Sequence, residues 1–535
     1  MCRRGGPLVD ALASWLAPGG GPWFITIPGK RARPMTMGGR LWAAMAMVVA
    51  AGCALGQPNA LSSDVLHAVG QRKLGNAKVA ICVRDCQTGT VLASVNDSTP
   101  MTPASNMKLL TSGAALLVLT PEFVFHTEFA LDGDTLVIRG DGDPALADPA
   151  VLDRMNPKMT VGDVLGAISG AISSSGVKQL NQIIVDDRVF DRQFVHPTWP
   201  VEKLDRGYSA EVAGVNFHAN VLAAYPKPNP EGPGAPPLFD LQPEAPWLRI
   251  DNKARTIVQG KNAVWLTRDP DSNQFTMHGE VRFPVAVGVE VTVHNPPDFF
   301  GRVLASRLMA SSITMPQGSD QMDSTAIRVA NDQDGFGQGK VLAVVSTPIA
   351  EVLRRCNTDS ENLYAESLFK RMGHAVTKEP GGWTNGAAVL RMVLTQKLGA
   401  EAAASVTISD GCGLSRDDAV SPAVMTRWLE VMSKEKGAAD AYLASLAEPG
   451  EGTLKSRFLG DKLKNQVHAK SGFINGVRTL SGYVVSPTTG RQVAFSVMVN
   501  DVNGTDGQAK ELHEDVVKLA DKWLSDRERG SKQGG

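Results

Sequence analysis

Two groups of β-patterned segments at opposite ends of the chain limit what it can fold into. Near the front, Val79–Val83 and Thr90–Val95 read as short strands joined by the turn-forming run Asp85-Cys86-Gln87-Thr88-Gly89. Near the back, Val467–Phe473, Thr479–Val485 and Gln492–Val499 read as three more, with turns at Asn475-Gly476 and Pro487–Gly490. A helix begins soon after the front pair, over Pro103–Leu116. Helical patterns over Ile349–Cys356, Ser360–Gly373, Gly386–Leu398 and Ser421–Met432 precede the back three, and an amphipathic helix over His513–Ser525 follows them. The two ends are therefore expected to pair in one antiparallel sheet flanked by helices, an α+β domain split by a large insertion.

The inserted stretch has a different texture. Leu131–Gly140 reads as strand–turn–strand, Thr160–Ser174 as a helix with Val161, Val164, Leu165 and Ile168 on one face, and Gln182–Val189 as a strand. Tyr225–Leu238 is a Pro-rich loop. Thr256–Val258, Ala263–Thr267, Phe275–Val281 and Val289–Val293 alternate as strands, and Phe299–Ala310 resembles a helix. Asp141 and Asp143 in Gly140–Pro144 read as a solvated turn, because the rest of a calcium loop is missing. Ser346-Thr347-Pro348 reads as a helix cap with Pro at N1. The expected division is 1–56 as N-terminal extension and leader, 57–125 and 342–525 as the two parts of one domain, 126–341 as a β-rich insert of one or two subdomains, and 526–535 as a frayed polar tail.

At 535 residues the chain exceeds one domain, and a net charge of −1 without a long basic run argues against nucleic-acid binding. Arg40, the apolar run Leu41–Ala51 and the small residues around Ala54-Leu55-Gly56 form a secretory signal within 37–56, too short for a comfortable membrane span. The chain is thus expected to be exported to the periplasm or cell envelope, with a mature start near Gln57. Cys53 offers a rival reading, a lipid-modified N-terminus, which Ala50 disfavours. Residues 1–34, Gly/Pro/Arg-rich with Trp15 and Trp23, are out of place before a signal, so translation is expected to start at Met35 or Met37. Cys82 and Cys86 are too far apart on a strand to bridge, while Cys356 and Cys412 are either paired or small buried residues. No Cys/His cluster has zinc spacing, so no metal is expected.

The chemistry lies in short motifs. Ser105 and Lys108 form S-x-x-K, a hydroxyl and an amine one helical turn apart near a helix N-terminus. The pattern is common, and recurs at Ser175, Ser367 and Ser433. What distinguishes the first copy is its company: Ser360-Glu361-Asn362 is S-x-N at a helix start, and Lys470-Ser471-Gly472 is K-[ST]-G on a strand. This ordered set is that of penicillin-binding proteins and class A β-lactamases.

With its flanks PASNMKLL, SENLYAES, DGCGLSR, EGTLKSRF, AKSGFINGV and LSGYV, the chain resembles the D-alanyl-D-alanine carboxypeptidase/endopeptidase family of class C low-molecular-mass penicillin-binding proteins, the S13 peptidases. The resemblance covers about Lys78 to Leu524, and that family carries a large insert between its first two motifs. Ser471, Glu361 and Cys412 stand where Thr, Asp and Ser are usual, and Phe473 where the family often has Thr. The resemblance implies a penicillin-binding-protein/β-lactamase-like fold. It also implies that Ser105 attacks the D-Ala-D-Ala carbonyl to give an acyl-enzyme, with Lys108 as base. Ser360 would relay a proton to the leaving amine, and Asn362 would orient Lys108 and the substrate amide. Lys470 would supply positive field and help keep Lys108 neutral. Ser471, Gly472 and Phe473 form the substrate-binding strand: Ser471 bonds the terminal carboxylate, and the N–H groups of Ser105 and Phe473 make the oxyanion hole. Asp410 reads as a turn former. No metal or organic cofactor is implied. Partners are peptidoglycan stem peptides, β-lactams as covalent inhibitors, and the cell wall or membrane periphery. A β-lactamase or esterase on the same scaffold, and a non-catalytic peptidoglycan-binding protein, are the alternatives.

Overall fold

The computed structural model describes residues 24–26, 60–316, 318, 324–337 and 339–533. The expected leader, Cys2 and Cys53 lie outside them. The front of the chain gives helix α1 (Ala60–Gln71), strands β1 (Lys78–Asp85) and β2 (Val91–Val95), and helix α2 (Met107–Leu119). The back gives helices α3 (Asn362–Thr377), α4 (Trp383–Leu398) and α5 (Pro422–Met432), strands β3 (Gln466–Ile474), β4 (Val477–Val485) and β5 (Gln492–Asn500), and helix α6 (Asp506–Gln533). The ends do join: the five-stranded sheet runs β3-β4-β5-β1-β2, antiparallel throughout, with Ala494 opposite Arg84.

Alternation along these strands gives the sheet two apolar faces. One packs under α1 and α6 through Leu61, Val65, Leu480, Val497, Val516 and Leu524. The other, with Tyr483, Ala494 and Met498, belongs to the main core, which also holds α2 and α5. Helix α2, MKLLTSGAALLVL, is apolar on nearly every side and is correspondingly buried at the centre. Trp428 Nε1 and the Tyr442 hydroxyl both donate to the Leu109 carbonyl, fixing α2 against the helices around it.

The insert builds two layers. Strands Val124–Asp132, Thr135–Gly140, Gln182–Asp186, Ile327–Val329 and Lys340–Pro348 form one sheet, on whose edge Phe24–Thr26 also pairs. Helices Val161–Ser174 and Pro296–Ala310 join its core. Beyond it, residues 221–292 carry a three-stranded and a four-stranded sheet. The joins expected at 125/126 and 341/342 both fall within strands that pair with each other, His126 opposite Ser346. The two ends of the insert therefore meet.

Several local expectations are corrected. Ser346-Thr347-Pro348 ends a nine-residue strand; the β-branched run before it pairs with Val124–Asp132, and Pro348 is the N-cap of the next helix, not its N1. Asp143 is buried rather than solvated: it accepts from Thr347 Oγ1 at 2.6 Å and from the Ala145 N–H, tying the turn to the insert's closing strand. Helix α6 continues through Gln533, so most of the expected tail is helical; Arg529 donates to Asp526 one turn back. Cys82, Cys86, Cys356 and Cys412 are all buried and unpaired. Among the described residues no helix is long and apolar enough to cross a membrane.

Candidate active site

Ser105 sits in a 3-10 turn, Ala104–Asn106, that leads into α2. Ala104 holds a strained φ of +46°, and Lys108 lies in the first turn of α2. The three-residue spacing brings the side chains together: Lys108 Nζ is 3.1 Å from Ser105 Oγ. Lys108 is fully buried, and its other contacts are the Asn362 Oδ1 at 2.5 Å and the Cys412 carbonyl at 3.0 Å. Both are neutral acceptors. As an ammonium, Nζ donates to all three oxygens; once it has given up a proton, the two fixed carbonyls hold its remaining N–H groups and the lone pair is left to Ser105.

Asn362 opens α3, and its Nδ2 donates to the Tyr208 carbonyl of the insert at 2.7 Å. Ser360 does not start that helix. It lies two residues before it with φ +68°, a rare conformation for a non-glycine residue and one enriched at functional sites. Among the described residues neither the Ser360 nor the Ser471 hydroxyl has a hydrogen-bond partner, which leaves both available to a ligand.

Strand β3 completes the site from the other side. Among the described residues it is the edge of its sheet, paired with β4 and, by a single bridge, Ala469 with Ala447. Lys470 is fully buried opposite Ser481 and donates to the Ser471 carbonyl at 2.9 Å. Burial, then the charge of Lys108, drives Lys470 well below the ordinary lysine range. The two amines thus resist being charged together, and it is Lys470 that is depressed, which runs against the expectation that Lys470 carries the charge that keeps Lys108 neutral. At Gly472 a Cβ would fall 2.1 Å from Thr479 Oγ1 and 3.1 Å from the Ser105 nitrogen, so only glycine lets the strand approach the nucleophile. Thr479 Oγ1 donates to the Pro103 carbonyl, holding the turn to the sheet. Phe473, the next residue, is 65% exposed, and the Arg478 guanidinium lies 3.8 Å from its ring centre.

Sequence reasoning missed several supports. With its amide oxygen turned toward Ser481, Asn106 donates to the Lys470 carbonyl at 2.8 Å and links the Ser105 turn to β3. Glu366, one turn after Asn362, accepts from the Gly411 and Cys412 N–H groups. An i, i+4 reading from Asn362 could have singled it out; nothing in the sequence pointed to the Tyr208 carbonyl. Asp410 is a turn former as expected, accepting from Cys412, Gly413 and Ser415 N–H, and it is buried. Gly413 has φ +81° and presses on the Ala104 carbonyl, where a Cβ would come within 1.9 Å. The thiol of Cys412 is held well above the usual range by burial, so it is no competing nucleophile. Glu366, Asp410 and Cys412 lie close enough to suggest a metal site, but their oxygens are committed to N–H donors, including Trp383 Nε1 and Trp199 Nε1.

Comparison with known proteins gives a consistent result. The family model described as D-Ala-D-Ala carboxypeptidase 3 (S13) matches residues 61–523. A D-alanyl-D-alanine carboxypeptidase of Actinomadura sp. is 30% identical, over 90% of this chain and 87% of its own length. The carboxypeptidase DacB of Haemophilus influenzae is 24% identical, over 83% and 89%. The crystal structure of penicillin-binding protein 4 from Haemophilus influenzae superposes with a TM-score of 0.67 at 21% identity, covering 84% of this chain and 99% of that one, which establishes the shared fold. The pairing of the chain ends around Ser105, Lys108 and Lys470 is thus one instance of a known architecture, and the protein belongs to the D-Ala-D-Ala carboxypeptidase 3 (S13) family.

Proposed function

We propose that the protein is an exported serine DD-peptidase that cleaves the terminal D-Ala-D-Ala bond of peptidoglycan stem peptides through an acyl-enzyme on Ser105. The observation that carries this reading is the environment of Lys108: a buried amine aimed at a serine hydroxyl and otherwise held by neutral carbonyls. Lys108 takes the Ser105 proton as Oγ attacks the carbonyl carbon. The N–H groups of Ser105 and Phe473 receive the developing oxyanion, at ~3–4 kcal/mol per donor. Collapse breaks the amide C–N bond, and the proton taken by Lys108 reaches the departing D-Ala amine through the Ser360 hydroxyl, which takes one proton as it gives one and leaves Lys108 neutral again. Water then gives a proton to Lys108 as it attacks the ester carbon, the C–Oγ bond breaks, and Lys108 returns that proton to Ser105 Oγ. Asn362 holds Lys108 and the substrate amide, while Lys470 and the Ser471 hydroxyl, on the strand that Gly472 lets approach, take the terminal carboxylate.

The same site would accept D-Ala-meso-diaminopimelate cross-links if the acceptor strand reaches the cleft, giving endopeptidase action. β-Lactams would acylate Ser105 as substrate mimics. A leader within 37–56 would deliver the chain to the periplasm or cell envelope, where it would associate with the wall or the membrane periphery. Residues 57–125 and 342–525 would form the catalytic unit and 126–341 the insert. The deciding experiment supplies a pentapeptide muropeptide and a cross-linked dimer and weighs the products. Loss of one D-Ala is expected; halving of the dimer adds endopeptidase action. No product, with β-lactam turned over rapidly, would assign the site to a β-lactamase instead.

A further inference from the structure

Glu366 is a buried carboxylate that the chemistry above leaves unused. It stands on the same face of α3 as Asn362, four residues on. Its Oε1 accepts from the Cys412 N–H at 2.8 Å and the Gly411 N–H at 2.9 Å, and its Oε2 from Trp383 Nε1 at 2.8 Å. The carbonyl of that same Cys412 is one of the two neutral acceptors on Lys108 Nζ. Helix α3 therefore grips Lys108 twice, directly through Asn362 and through one residue by way of Glu366.

A carboxylate taken fully out of water is costly when no cation meets it. Lys370, one turn further on, does not meet it: its Nζ goes to Asp191 at 2.7 Å and to the Gln193 carbonyl at 2.8 Å, over the face of Trp383. Glu366 is held by N–H donors and by the Cys412 thiol, with no cation in contact among the described residues. Burial, and then the charge of Asp410, push its carboxyl up to about 7. For packing alone, an apolar side chain would serve at lower cost.

We propose that Glu366 is a positioning residue for acyl transfer: by holding the Cys412 N–H it keeps the Cys412 carbonyl on Lys108 Nζ and the amine aimed at Ser105 Oγ. This rests on Lys108 being the base. The insert braces the arrangement, since Trp199 Nε1 holds Asp410 in the same loop and Asp191 holds Lys370.

The test follows covalent labelling of the full chain by benzylpenicillin over time and concentration, read by intact mass. It yields the final labelled fraction, the saturating rate and the half-saturating concentration. Glu366→Gln keeps an oxygen for the Cys412 N–H and loses the charge. It is expected to reach one label per chain, with the saturating rate about tenfold lower and half-saturation within about twofold. Glu366→Ala should be slower still, so Gln restores part of what Ala loses. A merely structural role would lower the labelled fraction and leave the rate of the labelled molecules unchanged; that result, or a wild-type rate in Glu366→Gln, overturns the proposal. Trp383→Phe keeps the aromatic face under Lys370 and removes one donor to Glu366. It should slow the rate about threefold. If Glu366→Gln does not fold, a wild-type rate in Trp383→Phe overturns the proposal by itself. Peptide mapping separates the two levels: a wild-type label away from Ser105 brings down the reading of the site, and this inference with it, whereas an unchanged rate at Ser105 brings down only the role of Glu366.

Discussion

Ser105–Lys108 and Ser367–Lys370 are the same four-residue pattern on helices, and both lysines are fully buried. Their surroundings differ. Lys108 reaches back to its serine and is otherwise held by two neutral carbonyls. Lys370 pairs with the carboxylate of Asp191 over Trp383 and not with its serine, while Ser367 Oγ is buried with no partner among the described residues. Burial pulls the Lys370 ammonium below its ordinary range and Asp191 pulls it back up. A carboxylate partner favours the charged amine, whereas a set of neutral acceptors with a hydroxyl in reach suits a base. Spacing alone brings a serine and a lysine onto one helix face; what surrounds them decides whether they do chemistry or hold the fold together.

The sharpest way to break this comparison is at the two serines. Ser105→Ala is expected to abolish penicillin labelling, and Ser367→Ala to retain one label per chain, as read by intact mass with peptide mapping. Adduct persisting in Ser105→Ala, or mapping outside Pro103–Leu116, would reverse the assignment. The lysines come next. Lys108→Ala should slow acylation about 10²–10⁴-fold, the range of a lost general base. Lys370→Ala should keep labelling at Ser105 but cost about 2 kcal/mol in urea unfolding, less than a fully enclosed pair because Asp191 is partly exposed.

The same contrast, a buried charge with or without a partner, can be sharpened with carboxylates. Asp143, buried beside Thr347, is raised by desolvation to about 6. A carboxyl raised above its unfolded value favours folding most below about pH 4, and that contribution fades as pH rises through about 6. Wild-type protein should therefore lose up to about 3 kcal/mol between pH 4 and 7 from this group, and Asp143→Asn should flatten that slope in thermal melts taken across the range. An unchanged slope would mean the carboxyl stays ionised. The smallest effect concerns the brace between insert and loop: Trp199→Phe removes the donor to Asp410 and should lower stability by about 1–2 kcal/mol, measured by denaturant midpoint, with Ser105 still labelled.

The motifs were legible because each falls on a local element that sequence pattern can find: a turn entering an apolar helix, a helix start, an edge strand. The supports were not. Glu366 and Asp410 look like ordinary acidic residues until the 410–415 loop folds back on α3, and the Tyr208 carbonyl is a backbone group with no side-chain signature. Ser360 read as a helix start because Ser favours caps, yet the chain turns through positive φ there and the helix begins at Asn362. Asp143 read as solvated because its neighbours are glycines and aspartates; contact with Thr347, far along the chain, buries it.

The insert shows the same limit. Because the ends of the insert meet, a deletion of about Glu128–Gln338 closed by a short linker is sterically conceivable. The structure argues against that deletion, because it would strip Asp191 from the buried Lys370 and Trp199 from the buried Asp410, and would remove the Tyr208 carbonyl from Asn362. By itself the sequence marked most strands and helices of the split domain and the three motifs, because periodicity and short-range spacing encode those directly, but it missed the helix Ala60–Gln71 and the strand ending at Pro348. Only the tertiary structure decided which buried lysine faces a serine and which a carboxylate, because that depends on groups brought together from 179 to 304 residues away, whose contacts leave no mark in local pattern.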